Sequence, residues 1–329
     1  MDHDGTRVND EATLQRIAEL AIPPAWDEVW ICPQPNGHLQ ATGIDAAGRK
    51  QYRYHDDWRT RRDAEKFDAM LDFAAALPKL RRAVIADLRK REMTRERVLA
   101  CAIRLLDLGF FRIGSEDYAE QNDSFGLATI RREHVTLRNG EAVFDYAGKS
   151  GVRRVQAIRD PGVLRVLKAM KSRRGGSEEL LAYKQGGRWR DVKSADVNDR
   201  LKELATADFT AKDFRTWSGT VLAAVSIAGK REQAKTKSSR QRAKSAAAKE
   251  VAYFLGNTPA VARKSYIDPR VFDRFDSGWT IQARVEELGG PEAFVDPEGR
   301  VALEDAVRDL IEDRKSDSPA LDKVPVSRG

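Results

Sequence analysis

The run HVTLRNGEAVFDYAGKSGVRRVQAI, residues 134–158, decides how the rest of the chain is read. HVTLR and EAVFDYAG flank Asn139-Gly140, a dipeptide that accepts the positive φ angles of a type I′ turn, so the two segments form a β-hairpin. Lys149-Ser150-Gly151 makes a second turn, and VRRVQAI returns as a third strand. Lys149 is therefore expected at a hairpin tip.

On the N-terminal side the periodicity changes twice. From Trp58 onward, Phe67, Met70, Leu71 and Phe73 to Ala76 recur at helical spacing. Leu77-Pro78 is read as an interruption, because proline lacks the N–H of a helix interior and restricts the residue before it. A second helix through Leu80, Val84, Ile85 and Leu88 is expected after it. A third follows the N-cap candidate Thr94, carries Val98, Leu99, Ala102, Leu105 and Leu106, and ends at Gly109. Residues 23–55 read as strands instead. Val29-Trp30-Ile31 is closed by the turn Pro33-Gln34-Pro35-Asn36-Gly37, then HLQATGID, a turn at Ala46-Ala47-Gly48, and RKQYRYH. In that last strand Gln51 and Arg53 alternate with Tyr52 and Tyr54. Beyond Pro161 the chain reads as helical to about residue 276, broken by a Gly186-Gly187 turn.

These elements add up to an α+β protein. A small N-terminal antiparallel β-sheet domain, residues 1–76, precedes a larger, mostly α-helical domain, residues 77–312, that carries the lysine hairpin. Residues 313–329 are polar, hold two prolines, and are expected to be a disordered tail. A length of 329 residues suits two domains.

The bulk numbers narrow the partner. Charged residues make up 33% of the chain and the net charge is +7, with a pI near 9.3. Such a balance favours an acidic partner: nucleic acid, an anionic membrane or another protein. Residues 230–249 concentrate it, with eight Lys or Arg and one Glu. That stretch reads equally as a solvated helix or linker and as a phosphate-contacting segment. No apolar run suits a membrane span and no apolar h-region opens the chain, so a cytoplasmic protein is expected. Cys32 and Cys101 alone make no disulfide framework. The four histidines, His3, His38, His55 and His134, have no metal-ligand spacing, so no metal is expected.

Four residues fit one chemistry when taken together. Arg112 lies in GFFRIG, Arg215 in KDFRTW, and Tyr266 in RKSYIDP, with Lys149 on its hairpin. A phosphodiester gains charge as it becomes pentacoordinate, and two fixed guanidiniums can hold both non-bridging oxygens. A tyrosine hydroxyl, with an ordinary pKa of about 10, needs a cationic pocket to act as nucleophile. A leaving sugar oxygen needs a proton, which a lysine on a mobile hairpin can deliver. Asn257, in LGNTP upstream of Tyr266, supplies a further donor to phosphate.

These motifs in this order resemble the type IB DNA topoisomerases, in the compact poxvirus-like form found in bacteria. The resemblance runs from about residue 20 to about residue 278. It includes IPPAW at 22–26, GHLQATGID, GRKQYRYH at 48–55, FRIG, GKSG, KDFRTW and GNTP…KSY. It implies that Tyr266 forms a 3′-phosphotyrosyl link, Arg112 and Arg215 clamp the scissile phosphate, and Lys149 is the general acid, with Arg112 assisting the proton relay. Asn257 stands where many relatives carry histidine; an amide donates the same hydrogen bond without a charge. The resemblance also assigns DNA contacts to Gln51, Tyr52 and Tyr54 on the strand expected in the major groove, to Tyr118, Gln121 and Asn122 after Arg112, and to Lys212 before Arg215. It implies duplex DNA as partner, a nucleoid-associated monomer closing as a clamp, relaxation of supercoils of either sign by strand rotation, and no cofactor. No G-x-x-x-x-G-K-[ST] loop is present for ATP. A tyrosine recombinase has a similar residue set, but usually shows His-x-x-Arg where this chain has Lys212-Asp213-Phe214-Arg215, and a helical N-terminal domain. A non-enzymatic DNA-binding protein on the same scaffold is the other alternative.

Overall fold

The computed structural model describes residues 5–114, 119, 123–230, 234–313 and 321–323. The chain divides into two compact units, Met1–Ala69 and Met70–Gly329.

In the first unit, α1 (Glu11–Glu19) starts at Asp10, whose carboxylate accepts from Thr13 N at 2.8 Å. Strands β1 (Asp27–Ile31), β2 (Leu39–Ile44) and β3 (Lys50–Tyr54) form an antiparallel sheet in the order β1-β2-β3. Its centre is buried and polar at one point: Gln40 donates to Gly37 O at 2.6 Å and accepts from Arg16 Nη1 at 3.0 Å, tying α1 to the turn after β1.

Helix α2 (Asp56–Leu88) runs without a break through Pro78. This corrects the expected interruption. The proline removes one hydrogen bond, worth ~3 kcal/mol or more with its clash. Against that, Met70, Phe73, Leu77, Leu80, Val84 and Leu88 share one buried stripe at helical spacing, each contributing about 1.5–3 kcal/mol by burial. The stripe decides, and the two helices expected on either side of Pro78 are one. The boundary expected at residue 76 and the division between Ala69 and Met70 both lie inside this helix.

In the second unit, α3 (Arg95–Leu108) begins at Thr94, whose side chain accepts from Arg97 N, and ends at Gly109. Strands β4 (Val135–Arg138), β5 (Glu141–Ala147) and β6 (Arg153–Ile158) form the hairpin sheet, with Arg138 opposite Glu141 and Tyr146 opposite Arg154. Asn139 and Gly140 have φ of 49° and 75°, as the type I′ turn requires. Helix α4 (Pro161–Ser172) follows.

The stretch read as helical to residue 276 contains a second hairpin, β7 (Ala182–Gln185) and β8 (Arg188–Asp191), around Gly186-Gly187. Four-residue strands interleaved with Lys, Gln and Arg leave too little apolar alternation to register as strands. Helices α5 (Ser194–Ala205), α6 (Ala211–Ala228), α7 (Lys237–Leu255), α8 (Pro259–Ser265) and α9 (Pro269–Asp276) then build the core. Helix α6 is its axis, buried on every side from Phe214 to Ala228. Of the basic stretch 230–249, residues 237–249 lie in α7, and residues 231–233 fall outside the described residues.

Strand β9 (Trp279–Thr280), α10 (Gln282–Glu287) and α11 (Pro297–Ile311) complete the unit. Of the residues 313–329 expected to be a tail, residues 313 and 321–323 are described, and β10 (Asp322–Lys323) pairs antiparallel with β9. Residues 314–320 and 324–329 fall outside the described residues.

Candidate active site

Arg112 sits in the extended stretch after α3. Its carbonyl accepts from Leu127 N and that of Ile113 from Ala128 N, each at 2.8 Å. Gly114 and Gly126 allow this approach: a Cβ on Gly126 would stand 2.4 Å from Gly114 N. Arg215 lies near the start of α6, whose N-cap Thr210 is held by Asp213, its backbone N–H donating to Asp213 Oδ2 at 2.8 Å. Asn257 follows Gly256, the left-handed cap of α7, and Tyr266 is the residue at which α8 ends.

The last carbonyls of α7 bring these residues together. Arg112 Nη2 donates to Gly256 O at 2.7 Å and to Asn257 Oδ1 at 2.5 Å. Arg215 Nη2 donates to Leu255 O at 2.9 Å and Nη1 to Phe110 O at 2.5 Å. The Arg215 guanidinium carbon lies 5.1 Å from the centre of the Tyr266 ring. Because Asn257 Oδ1 faces a guanidinium, its amide nitrogen must face the other way. That nitrogen is buried and has no hydrogen-bond partner among the described residues. A buried donor left unmade costs about 1–3 kcal/mol, so it is a position prepared for an acceptor from outside.

Tyr266 is fixed by its backbone. Its N–H donates to Ala262 O at 3.0 Å, and its carbonyl accepts from Thr220 Oγ1 at 3.4 Å. The same Thr220 oxygen accepts from Asp268 N at 3.1 Å. Asp268 is fully buried, caps α9 and pairs with Arg270. Helix α6 passes so close that a Cβ on Gly219 would stand 2.7 Å from Tyr266 O.

The electrostatics ease ionisation of the phenol. Burial opposes ionisation of Tyr266, but the charge of Arg215, with Arg112 and Lys212 further off, outweighs it and holds the phenol below its usual value. Burial pulls the Arg215 guanidinium down to about 10, partly countered by the Tyr266 oxygen and reinforced by Arg112. No Asp or Glu forms an ion pair with Arg112, Arg154 or Arg215 among the described residues.

Lys149 occupies the hairpin tip as expected, in the short helical turn Lys149–Gly151 between β5 and β6. It is exposed and lines the same cleft as Arg112, Tyr146, Arg154 and Gly256. Lys212 is exposed in the first turn of α6. Tyr118, Gln121 and Asn122 lie outside the described residues. Gln51, Tyr52 and Tyr54 belong to the first unit. Tyr52 is 51% exposed and stacks on Tyr54 at 6.2 Å, and Tyr54 stacks on Trp58 at 4.5 Å. Gln51 donates its amide to Asp45 at 2.8 Å.

Sequence reasoning missed Arg154. Strand alternation could have separated it from its neighbour: Arg153 points outward to Asp145, whereas Arg154 turns to Tyr253 O and Phe254 O.

A half-buried tyrosine lies against a buried guanidinium, with Arg112 and Arg154 nearby and no carboxylate partner for these arginines among the described residues, an arrangement suited to phosphoryl transfer. Comparison with known proteins agrees. Residues 55–286 match the family description "Eukaryotic DNA topoisomerase I, catalytic core", and residues 1–45 match "Bacterial DNA topoisomerase IB, N-terminal domain". The chain is 33% identical over 270 residues to the DNA topoisomerase 1B of Acanthamoeba polyphaga mimivirus, covering 79% of this chain and 80% of that one. It is 28% identical over 160 residues to DNA topoisomerase 1 of Schizosaccharomyces pombe, covering 48% of this chain and 19% of the yeast protein. Identity to the DNA topoisomerase 1B of vaccinia virus is 22% over 148 residues, 44% of this chain and 47% of the viral one. The chain belongs to the type IB DNA topoisomerase family. That assignment sets aside the recombinase and the non-enzymatic reading.

Proposed function

We propose that the chain relaxes duplex DNA through a tyrosyl ester at Tyr266. The Tyr266 oxygen attacks phosphorus and loses its proton to solvent. The bond from phosphorus to the 5′ oxygen breaks, leaving a 3′-phosphotyrosyl link. Lys149 gives a proton to the departing 5′ oxygen, which becomes a free hydroxyl. Rotation of the freed strand releases supercoils of either sign. Attack by the 5′ hydroxyl then reverses the chemistry and returns both protons. One phosphodiester is exchanged for another, so the balance needs no ATP and no metal.

The observation that carries this reading is the placing of Tyr266 beside Arg215 and Arg112, which have no carboxylate partner among the described residues. Arg112 and Arg215 are the clamp on the non-bridging oxygens, and the unpartnered Asn257 amide nitrogen is the further donor. The column Tyr52–Tyr54–Trp58 and the exposed Lys212 are the DNA contacts the described residues favour. Gln51, already engaged by Asp45, would have to exchange that partner for a base or phosphate. Tyr118, Gln121 and Asn122 keep the contacts their sequence position implies. A monomer closing around the duplex, acting in the cytoplasm on the nucleoid, completes the proposal.

The test is relaxation of supercoiled plasmid in EDTA without ATP, by the parent protein and by Tyr266→Phe. Relaxation by the parent and none by the variant is expected. A requirement for magnesium or ATP, or an active variant, would overturn the reading.

A further inference from the structure

Arg154 is not among the residues assigned above, yet the site is built around it. Two glycines cradle its side chain. A Cβ on Gly148 would stand 2.9 Å from Arg154 Cγ, and a Cβ on Gly256 would stand 3.0 Å from Arg154 Nη1. Gly148 directly precedes Lys149, and Gly256 directly precedes Asn257. From β6, Arg154 reaches the end of α7, donating from Nη1 to Tyr253 O at 3.0 Å and from Nη2 to Phe254 O. No carboxylate among the described residues shares it, and burial together with Arg112 disfavours its charge. An arginine kept there without a counter-ion holds something in place through those two carbonyls, whose helix end carries partial negative charge.

We propose that Arg154 is a positioning residue that clamps the Lys149 hairpin to the end of α7, so that the lysine reaches the leaving 5′ oxygen while Tyr266 attacks. Within the hairpin tip Gly148 N donates to Val152 O and Gly151 N to Gly148 O, each at 2.9 Å, and Ala147 O just before it accepts from Phe125 N at 2.7 Å. Those bonds fix the shape of the turn and tie its base to Phe125, while the hydrogen bonds from Arg154 reach α7. This inference rests on the reading of Lys149 as general acid.

Single-turnover cleavage of two duplexes separates the possibilities, one with oxygen and one with sulfur bridging the scissile phosphorus to the 5′ carbon. A thiolate leaves without protonation, so sulfur bypasses the acid. Arg154→Ala is expected to slow cleavage of the oxygen duplex by about 10–100-fold, up to the lower end of the roughly 10²–10⁴-fold a general acid contributes, since the lysine itself is kept. It should cleave the sulfur duplex near the parent rate and bind DNA with unchanged affinity. Lys149→Ala/Arg154→Ala should be no slower on oxygen than Lys149→Ala alone, as two residues of one unit are non-additive. If Arg154→Ala does not fold, Arg154→Lys is read the same way, since lysine keeps the stem between the glycines but reaches only one carbonyl. Full activity on oxygen overturns the proposal, as does an equal defect on sulfur where Lys149→Ala is rescued. If Lys149→Ala itself is not rescued by sulfur, the general-acid reading falls and takes this one with it, and that arm alone shows it.

Discussion

Tyr266 shares its pocket with a guanidinium that is itself 4% exposed. Each group makes the other's charged form easier to hold: a phenolate relieves the buried cation, and the cation lowers the phenol. Tyrosinate absorbance in the parent minus Tyr266→Phe should therefore show a midpoint below the ordinary value of about 10. Arg215→Ala should move it upward; an unmoved midpoint would remove Arg215 as the cause. The sign for stability follows from linkage. Below the depressed folded value both folded and unfolded chains keep the proton, so there ionisation of Tyr266 adds nothing to stability. Its contribution grows as pH rises through the folded value and is complete above the unfolded one.

At the scale of elements, α6 and the α8 end meet without room for a side chain. Gly219→Ala would place a methyl 2.7 Å from Tyr266 O, against backbone that cannot rotate away. A stability loss of about 1–3 kcal/mol is expected from the overpacking, with a cleavage rate at least tenfold lower than the parent in protein shown by melting to be folded. A variant that cleaves normally would show that this approach does not position the nucleophile. The elements themselves were legible to different degrees. The hairpin around Asn139-Gly140 and the cap at Thr94 were clear, because turn and cap chemistry are local. Pro78 misled, because whether a proline breaks a helix depends on what the helix buries, and that is tertiary. The β7–β8 hairpin was invisible for lack of alternation. The candidate site residues were legible as ordered motifs; the geometry shows Arg112 and Arg215 on the last carbonyls of α7, with the Arg215 guanidinium against the Tyr266 ring. Arg154 was legible only in part: strand alternation separates it from Arg153, but which of the two turns inward depends on what β6 packs against.

Across the whole molecule, a net charge of +7 is distributed so that Arg112, Arg154 and Arg215 have no carboxylate partner among the described residues, while exposed cations such as Arg49 and Arg153 do. DNA affinity should fall linearly on a logarithmic salt axis, with a slope set by the phosphates neutralised. Lys212→Ala should reduce that slope by about 1, whereas Tyr52→Ala should lower affinity and leave the slope unchanged, because the ring carries no charge. Equilibrium titrations at several salt concentrations decide it, and a slope altered by Tyr52→Ala would contradict a stacking role. The C-terminal carbonyls of α7 bear finally on turnover. Arg112 and Arg215 rest on peptide oxygens in the free protein. On the proposed roles, when a religated duplex departs these two cations are left hydrogen-bonded, and the helix end stands in for the departed phosphate. An enzyme whose cations had no such resting place would hold its product by the very force that binds its substrate; here letting go is an exchange of partners, and the site is ready for the next duplex without rebuilding itself.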